Sequence, residues 1–185
     1  PRWMHDALQK HVYWLIRAQG KNCGGWSYFP LKTGKRFDLS NTQFAVLALG
    51  IGQKYGIQVP LDVVDRLVAM HLDMQRFEKE KREVTIAYSV DLLEPEKRKP
   101  NNAVSAQPGG WGYSRKNNRP YFAMTAATLG NLFVAEKIRY MQRRRSPHLR
   151  PALEGALVWL DRNWSELTKQ HKRTGTKPTG NYYYT

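Results

Sequence analysis

The 185-residue chain has a single cysteine, Cys23, so no disulfide can form within it. Acidic residues are also scarce. There are 15 of them against 30 lysines and arginines, which leaves a net charge of +15. That excess suits an anionic partner such as a lipid surface, an acidic polymer or nucleic acid, and it also suits a plain solvated basic face. No helix-turn-helix, zinc-finger or RNA-binding signature accompanies the charge, so no specific nucleic-acid motif is read here. No apolar run approaches the ~18 residues of a membrane span, and no signal-peptide pattern is visible. The 5 histidines, His5, His11, His71, His148 and His171, have none of the usual ligand spacings. No metal and no cofactor are therefore expected.

What is present is enough to build a core. Hydrophobic residues make up 41% of the chain and aromatics 12%, which sets it apart from disordered sequences. Its length suits one domain over residues 1–185. The chain opens at Pro1 rather than at methionine and closes on Tyr182 to Thr185, where a new apolar segment begins. It reads as part of a longer protein.

The organising feature is a motif that occurs twice. Gln19 leads through Cys23, Gly24, Gly25 and Trp26 to a basic loop, then to Asp38-Leu-Ser-Asn-Thr42 and an apolar run ending at Gly50. Gln107 leads through Gly109, Gly110 and Trp111 to another basic loop, then to Thr125 and a second apolar run. A pattern that returns in order is a repeat unit, and the fold is read from that unit. The tail His71 to Gln75 also aligns with Trp14 to Gln19, and Trp159 aligns with Trp14.

Taken along the chain, periodicity predicts a first helix over about residues 3–18, with a stripe through Trp3, Ala7, Leu8, Val12, Leu15 and Ile16. Gly20 and the Gly24-Gly25 pair end it, and Trp26, Tyr28 and Phe29 form an aromatic cluster over the turn. Ser40 and Gln43 have capping-box spacing and start the second helix, helped by Asp38 at its positive end. That helix is apolar nearly all round and is expected to be buried on most sides. Its Ala45, Ala48, Gly50 and Gly52 permit close helix approach. A third helix follows Pro60 over about residues 61–75. Residues 76–106 read as a charged surface insertion, with a short strand or helix near residues 84–90. A fourth helix is expected over about residues 122–141 and a fifth over about residues 151–167. A polar loop follows over residues 168–180, and a sixth helix starts at Tyr182. The amphipathic helices (first, third and fifth) should face solvent and the apolar ones (second and fourth) the interior. Stacked neighbours complete each core.

Gly-Gly-Trp turns that lead into a Thr-containing, Ala/Leu-rich helix resemble the repeats of the squalene cyclase and protein prenyltransferase superfamily. The resemblance covers about two and a half repeats. It implies an all-α fold, an α/α toroid of helical hairpins with inner and outer helices, here an incomplete barrel. It also implies a structural role for Gln19, Gly24, Gly25, Trp26, Ser40, Thr42, Gly109, Gly110, Trp111 and Thr125, which tie helix ends together.

Squalene–hopene type cyclases carry Asp-x-Asp-Asp-Thr, whose middle aspartate protonates the substrate. Here the corresponding residues are Asp38-Leu39-Ser40-Asn41-Thr42, with Ser40 in the acid's place. A hydroxyl is no strong acid, so Asp38 is left as a weak catalytic candidate and the stretch reads as a helix cap. Prenyltransferases hold zinc through Asp, Cys and His, but Cys23 lies outside any Asp-x-Cys pair and reads as a buried filler. It also lacks the Cys-Gly-Glu-Gln sequence of thioester domains that share the toroid. The expected function is a non-catalytic binding or scaffolding module for a hydrophobic, isoprenoid-type ligand or a partner protein. The alternative is an active terpenoid cyclase or prenyltransferase whose catalytic residues lie elsewhere in a longer chain. Residues 97–99, Arg143 to Arg145 and the two repeat loops place basic charge at helix connections, and loops 32–36 and 115–119 would form one positive rim that attracts an anionic surface.

Overall fold

A computed structural model describes residues 2–28, 36–86, 102–142 and 149–174. Among them the protein is mainly helical. Its elements are α1 (Arg2–Ala18), α2 (Leu39–Lys54), α3 (Leu61–Met74), β1 (Arg76–Phe77), β2 (Arg82–Ile86), β3 (Asn102–Ala106), β4 (Gly109–Gly110), α4 (Phe122–Met141) and α5 (Leu149–Thr174). The chain divides into two compact units, Pro1–Asp73 with Gly130–Ser146, and Met74–Leu129 with Pro147–Thr185.

In the first unit, α1 and α2 pack together where α2 carries glycine. A Cβ on Gly52 would stand 2.6 Å from Val12 Cγ2, and one on Gly50 would stand 2.6 Å from Val134 Cγ1. The small residues thus provide the close approach expected of them. Val12, Val46, Leu49, Val63, Leu67 and Leu132 are among the buried side chains of this core. Burying a side chain of this kind stabilises by about 1.5–3 kcal/mol. Gln142, just past α4, donates to Val59 O (2.8 Å) and to Gln53 Oε1 (3.2 Å). The same Gln53 oxygen accepts from Val59 N at 3.0 Å. One pair of amides therefore ties the α2–α3 connection to the end of α4.

Three expectations change in this unit. Asp38, not Ser40, is the N-cap of α2. Its extended backbone (φ −135°, ψ 153°) stops just short of the helix, and its side chain accepts from Asn41 N at 2.8 Å. Asp38 stands three residues before that orphan donor, so Ser40 is carried into the first turn, where it is buried. The expectation that α2 is buried on most sides holds except along one stripe. Phe44, Leu47 and Ile51 are exposed, together with Tyr55 just beyond the helix. Of α1, only Val12 is buried, while Trp3, Met4, Tyr13 and Trp14 are exposed. The apolar helix and the amphipathic one therefore both leave apolar surface open. Of the aromatic cluster over the turn, Trp26 is buried and Tyr28 exposed; Phe29 lies outside the described residues.

In the second unit, the described parts of the segment read as a charged surface insertion, residues 76–86 and 102–106, contain three strands. Strands β2 and β3 pair antiparallel with Val84 opposite Val104, and β1 pairs with β4, Arg76 opposite Gly110 and Phe77 opposite Gly109. Helix α5 lies against β2, β3 and β4. The alternation Glu83-Val84-Thr85-Ile86 carries the strand signal, and the nearby charge reads as solvated surface: Arg82 and Glu83 are exposed. Helix α5 continues through Thr174, past the break expected after residue 167. Its Leu-Thr-Lys-Gln-His-Lys-Arg continuation holds neither Gly nor Pro, so nothing local stops it. Residues 175–185, including the expected sixth helix, lie outside the described residues. So do 32–35 of the expected basic rim, and the basic clusters at 97–99 and Arg143 to Arg145.

Candidate functional site

The repeated motif forms two hydrogen-bonded joints with the same wiring. In the first, the Gln19 side chain donates from Nε2 to Gly24 O (2.9 Å) and to Val63 O on α3 (2.9 Å). Trp26 N donates to Thr42 Oγ1 at 3.1 Å, Thr42 Oγ1 donates to Asp38 O at 2.8 Å, and Asp38 N donates to Trp26 O at 3.1 Å. The Trp26 indole N–H reaches back to Leu15 O at 2.8 Å. A turn, the start of one helix and the end of another are locked together by side chains that are themselves buried.

In the second joint, Trp111 N donates to Thr125 Oγ1 at 3.1 Å and Tyr121 N donates to Trp111 O at 3.2 Å. The glutamine of this joint is Gln75. Its Nε2 donates to Gly109 O (3.2 Å) and to Ala152 O on α5 (2.9 Å). Gln107, which stands at the head of the motif in sequence, donates to Lys79 O at 3.4 Å on the exposed side. The joint needs a glutamine at the end of the preceding helix, and the hairpin separates that residue from its glycine by 34 positions instead of 5. The alignment of His71 to Gln75 with the tail of α1 carried this signal.

The structure brings Gln19, Gly24, Gly25, Trp26, Asp38 and Thr42 together in the first joint, with Ser40 buried in the first turn of α2. It brings Gly109, Gly110, Trp111 and Thr125 together in the second. Gly24 has φ +75°, and a Cβ there would overlap the Arg66 carbonyl oxygen. Only glycine fits that position. Cys23 is buried within the turn, and its N donates to Gly20 O at 3.1 Å.

As chemistry, the acid of the first joint is engaged in structure. Asp38 is 6% exposed, and its second carboxylate oxygen accepts from Asn41 Nδ2 at 2.8 Å. Each of its carboxylate oxygens thus accepts one bond from Asn41, which fits a helix cap. His71 is fully buried on α3, with its Nε2 3.4 Å from Asn131 Nδ2 on α4. Burial away from water pushes its pKa down from 6.5 to about 3, so it is a neutral core histidine. Among the described residues no group of three or more His, Cys, Asp or Glu side chains could hold a metal ion. No helix there is long and apolar enough to cross a membrane.

Arg66 was missed in the sequence. Its Nε and Nη2 donate to Gln19 Oε1 at 3.0 and 2.8 Å, and its Nη1 donates to Asp62 Oδ2 at 2.7 Å. That hydrogen bond holds the Asp62 carboxyl below the usual carboxylate range. In the second joint, Gln75 Oε1 is buried with no partner among the described residues. At the glutamine oxygen the two joints thus differ by one arginine.

Comparison with protein-family models, curated proteins and solved structures returned no match for this chain.

Proposed function

We propose that the chain is a non-catalytic repeat module of the squalene cyclase/prenyltransferase type, an incomplete α/α toroid of helical hairpins, that holds a partner protein along α2. The observation that carries this reading is the exposed row Phe44, Leu47, Ile51 and Tyr55. These residues stand at i, i+3, i+7 and i+11, so they form one ridge about 16 Å long. An isoprenoid-type ligand needs a concavity that buries most of its surface. A ridge on one helix suits instead the apolar face of another helix. The occupied state of Asp38 supports the non-catalytic half of the proposal, since the residue nearest a cyclase acid is engaged as a cap.

The test has two arms. Purified protein incubated with squalene or a prenyl diphosphate is expected to give no product, and turnover that disappears in Asp38→Asn would overturn the proposal. A labelled helical peptide with heptad-spaced leucines and glutamates elsewhere should bind. Phe44→Ser with Ile51→Ser should weaken it at least about tenfold, since each side chain contributes roughly 1.5–3 kcal/mol when buried. Displacement of that peptide by detergent-solubilised squalene would assign the ridge to an apolar small molecule instead.

A further inference from the structure

Helix α1 packs on α2 through Val12, which meets Gly52. The side of α1 opposite Val12 carries Trp3, Lys10, Trp14 and Arg17. These four stand at i, i+7, i+11 and i+14, so they form one stripe about 21 Å long. All four are exposed, Trp3 by 69% and Trp14 by 51%. Tyr13 flanks the stripe and is also exposed, its hydroxyl accepting from Gln9 Nε2 at 3.1 Å. The helix holds one carboxylate, Asp6, exposed at the stripe's edge, against the three cations Arg2, Lys10 and Arg17.

The make-up of the stripe says what covers it. Lysine is depleted at the centre of protein–protein interfaces, yet Lys10 stands at the middle of this one. Single-stranded nucleic acid also stacks on aromatic rings beside cations, but it does so in a groove that follows its backbone. The stripe is instead the outward side of a single helix. Tryptophan and tyrosine interleaved with lysine and arginine match the boundary between acyl chains and headgroups. Indole rings settle at headgroup level, and the apolar stems of lysine and arginine lie along them while the cations meet anionic headgroups. The net charge of +15 attracts the same kind of surface from a distance. Among the described residues no helix is long and apolar enough to cross a membrane, so the contact in question is with the bilayer's surface.

We infer that the outward stripe of α1 is a peripheral docking face for an anionic lipid surface, with Trp3 and Trp14 seated at headgroup level and Lys10 and Arg17 on the headgroup anions. The face is separate from the α2 ridge and does not depend on it.

The probe is vesicles of equal parts phosphatidylcholine and phosphatidylserine, with pure phosphatidylcholine vesicles as reference; binding is read by co-sedimentation. The protein is expected to bind the anionic vesicles at least about tenfold more tightly than the neutral ones, and less tightly as salt rises. Lys10→Glu with Arg17→Glu should weaken that binding at least about tenfold, and Trp3→Ser with Trp14→Ser by about as much. Asp6→Asn should strengthen it. All five side chains are exposed, so the variants should keep the circular dichroism spectrum. Lys116→Glu with Arg119→Glu makes the same change of net charge on an exposed loop and should leave most of the binding intact. Equal weakening by the two charge variants would mean non-specific attraction of a basic protein and would overturn the inference. So would undiminished binding of the tryptophan variant, which would leave no role for the indoles. Brominated phosphatidylcholine in the vesicles should quench the wild type's fluorescence by a larger fraction than the tryptophan variant's, and equal quenching would refute the seating. Tighter binding of an oligothymidine, lost in the tryptophan variant, would assign the stripe to nucleic acid instead. Phe44→Ser with Ile51→Ser should not alter vesicle binding; a loss there equal to that of the tryptophan variant would move the contact to α2 and overturn the assignment to α1.

Discussion

Replacing Gln19 and Gln75 in turn by leucine would test whether the joints carry the stability their geometry implies. The two glutamines make the same pair of bonds from Nε2, so each substitution forfeits two neutral hydrogen bonds, about 1 kcal/mol apiece. Beyond that they differ. Gln19 Oε1 accepts two bonds from Arg66. Loss of charged bonds costs more than loss of neutral ones, but the Arg66 side chain is 32% exposed and water takes up part of the deficit, leaving about 1 kcal/mol. Gln75 Oε1 is buried with no partner among the described residues. Leucine removes that burden and returns roughly 1–3 kcal/mol. Gln19→Leu is therefore expected to cost about 3 kcal/mol, and Gln75→Leu close to nothing. Urea unfolding followed by tryptophan fluorescence and circular dichroism would measure both. Equal losses in the two variants would refute the reasoning, since it rests on the different surroundings of Gln19 Oε1 and Gln75 Oε1.

The remaining predictions concern the same elements. Thr42→Val and Thr125→Val each leave a buried tryptophan N–H without its acceptor and should cost roughly 1–3 kcal/mol in the same unfolding assay, with serine at either position recovering most of the loss. Gly24→Ala should destabilise by several times more than Gly56→Ala. Both positions have positive φ, but only the first has a carbonyl oxygen where the new carbon would go; at Gly56 nothing lies within 4 Å, and the strain alone is about 1–2 kcal/mol. His71 has a folded pKa of about 3, below its ordinary 6.5, so the unfolded chain binds the extra proton between those values. Stability attributable to it is whole above about pH 6.5 and falls as pH drops toward 3, by about 2 kcal/mol at pH 5. His71→Leu should flatten that slope in a pH series of unfolding midpoints, and an unchanged slope would refute the assignment.

The sequence made the repeat legible because its punctuation is chemical. Gly24 is required by a positive φ, Trp26 and Trp111 fill the joints, and Thr42 and Thr125 follow them at similar distances, 16 and 14 positions on. Helix boundaries followed from Pro60 and from apolar periodicity, to within a few residues except at the C-terminal end of α5. The cap was assigned to the wrong residue because Ser40-x-x-Gln43 and Asp38-x-x-Asn41 offer the same spacing two positions apart, and only the backbone angle decides between them. The strands of the hairpin were hard to read because they are short, and charge surrounds β2 while β3 is Asn-Ala-Val-Ser-Ala with little alternation. Arg66 could not be found from sequence at all, since it meets Gln19 across 47 positions. Nor could periodicity say which face of α2 lacks a neighbour, because an apolar stripe looks the same covered or open.

The glutamine amide also acts as a clasp for whatever lies between it and its glycine. In one joint it closes a span of 5 residues, in the other a span of 34, with the same two bonds. Closing the longer loop costs only about 1.7 kcal/mol more in chain entropy, because the cost grows with the logarithm of length. The joint is therefore a socket. It would accept a foreign segment between Gly20 and Gly24 as readily as it holds the hairpin between Gln75 and Gly109, and the fold could acquire new surfaces at these points without rebuilding its helices.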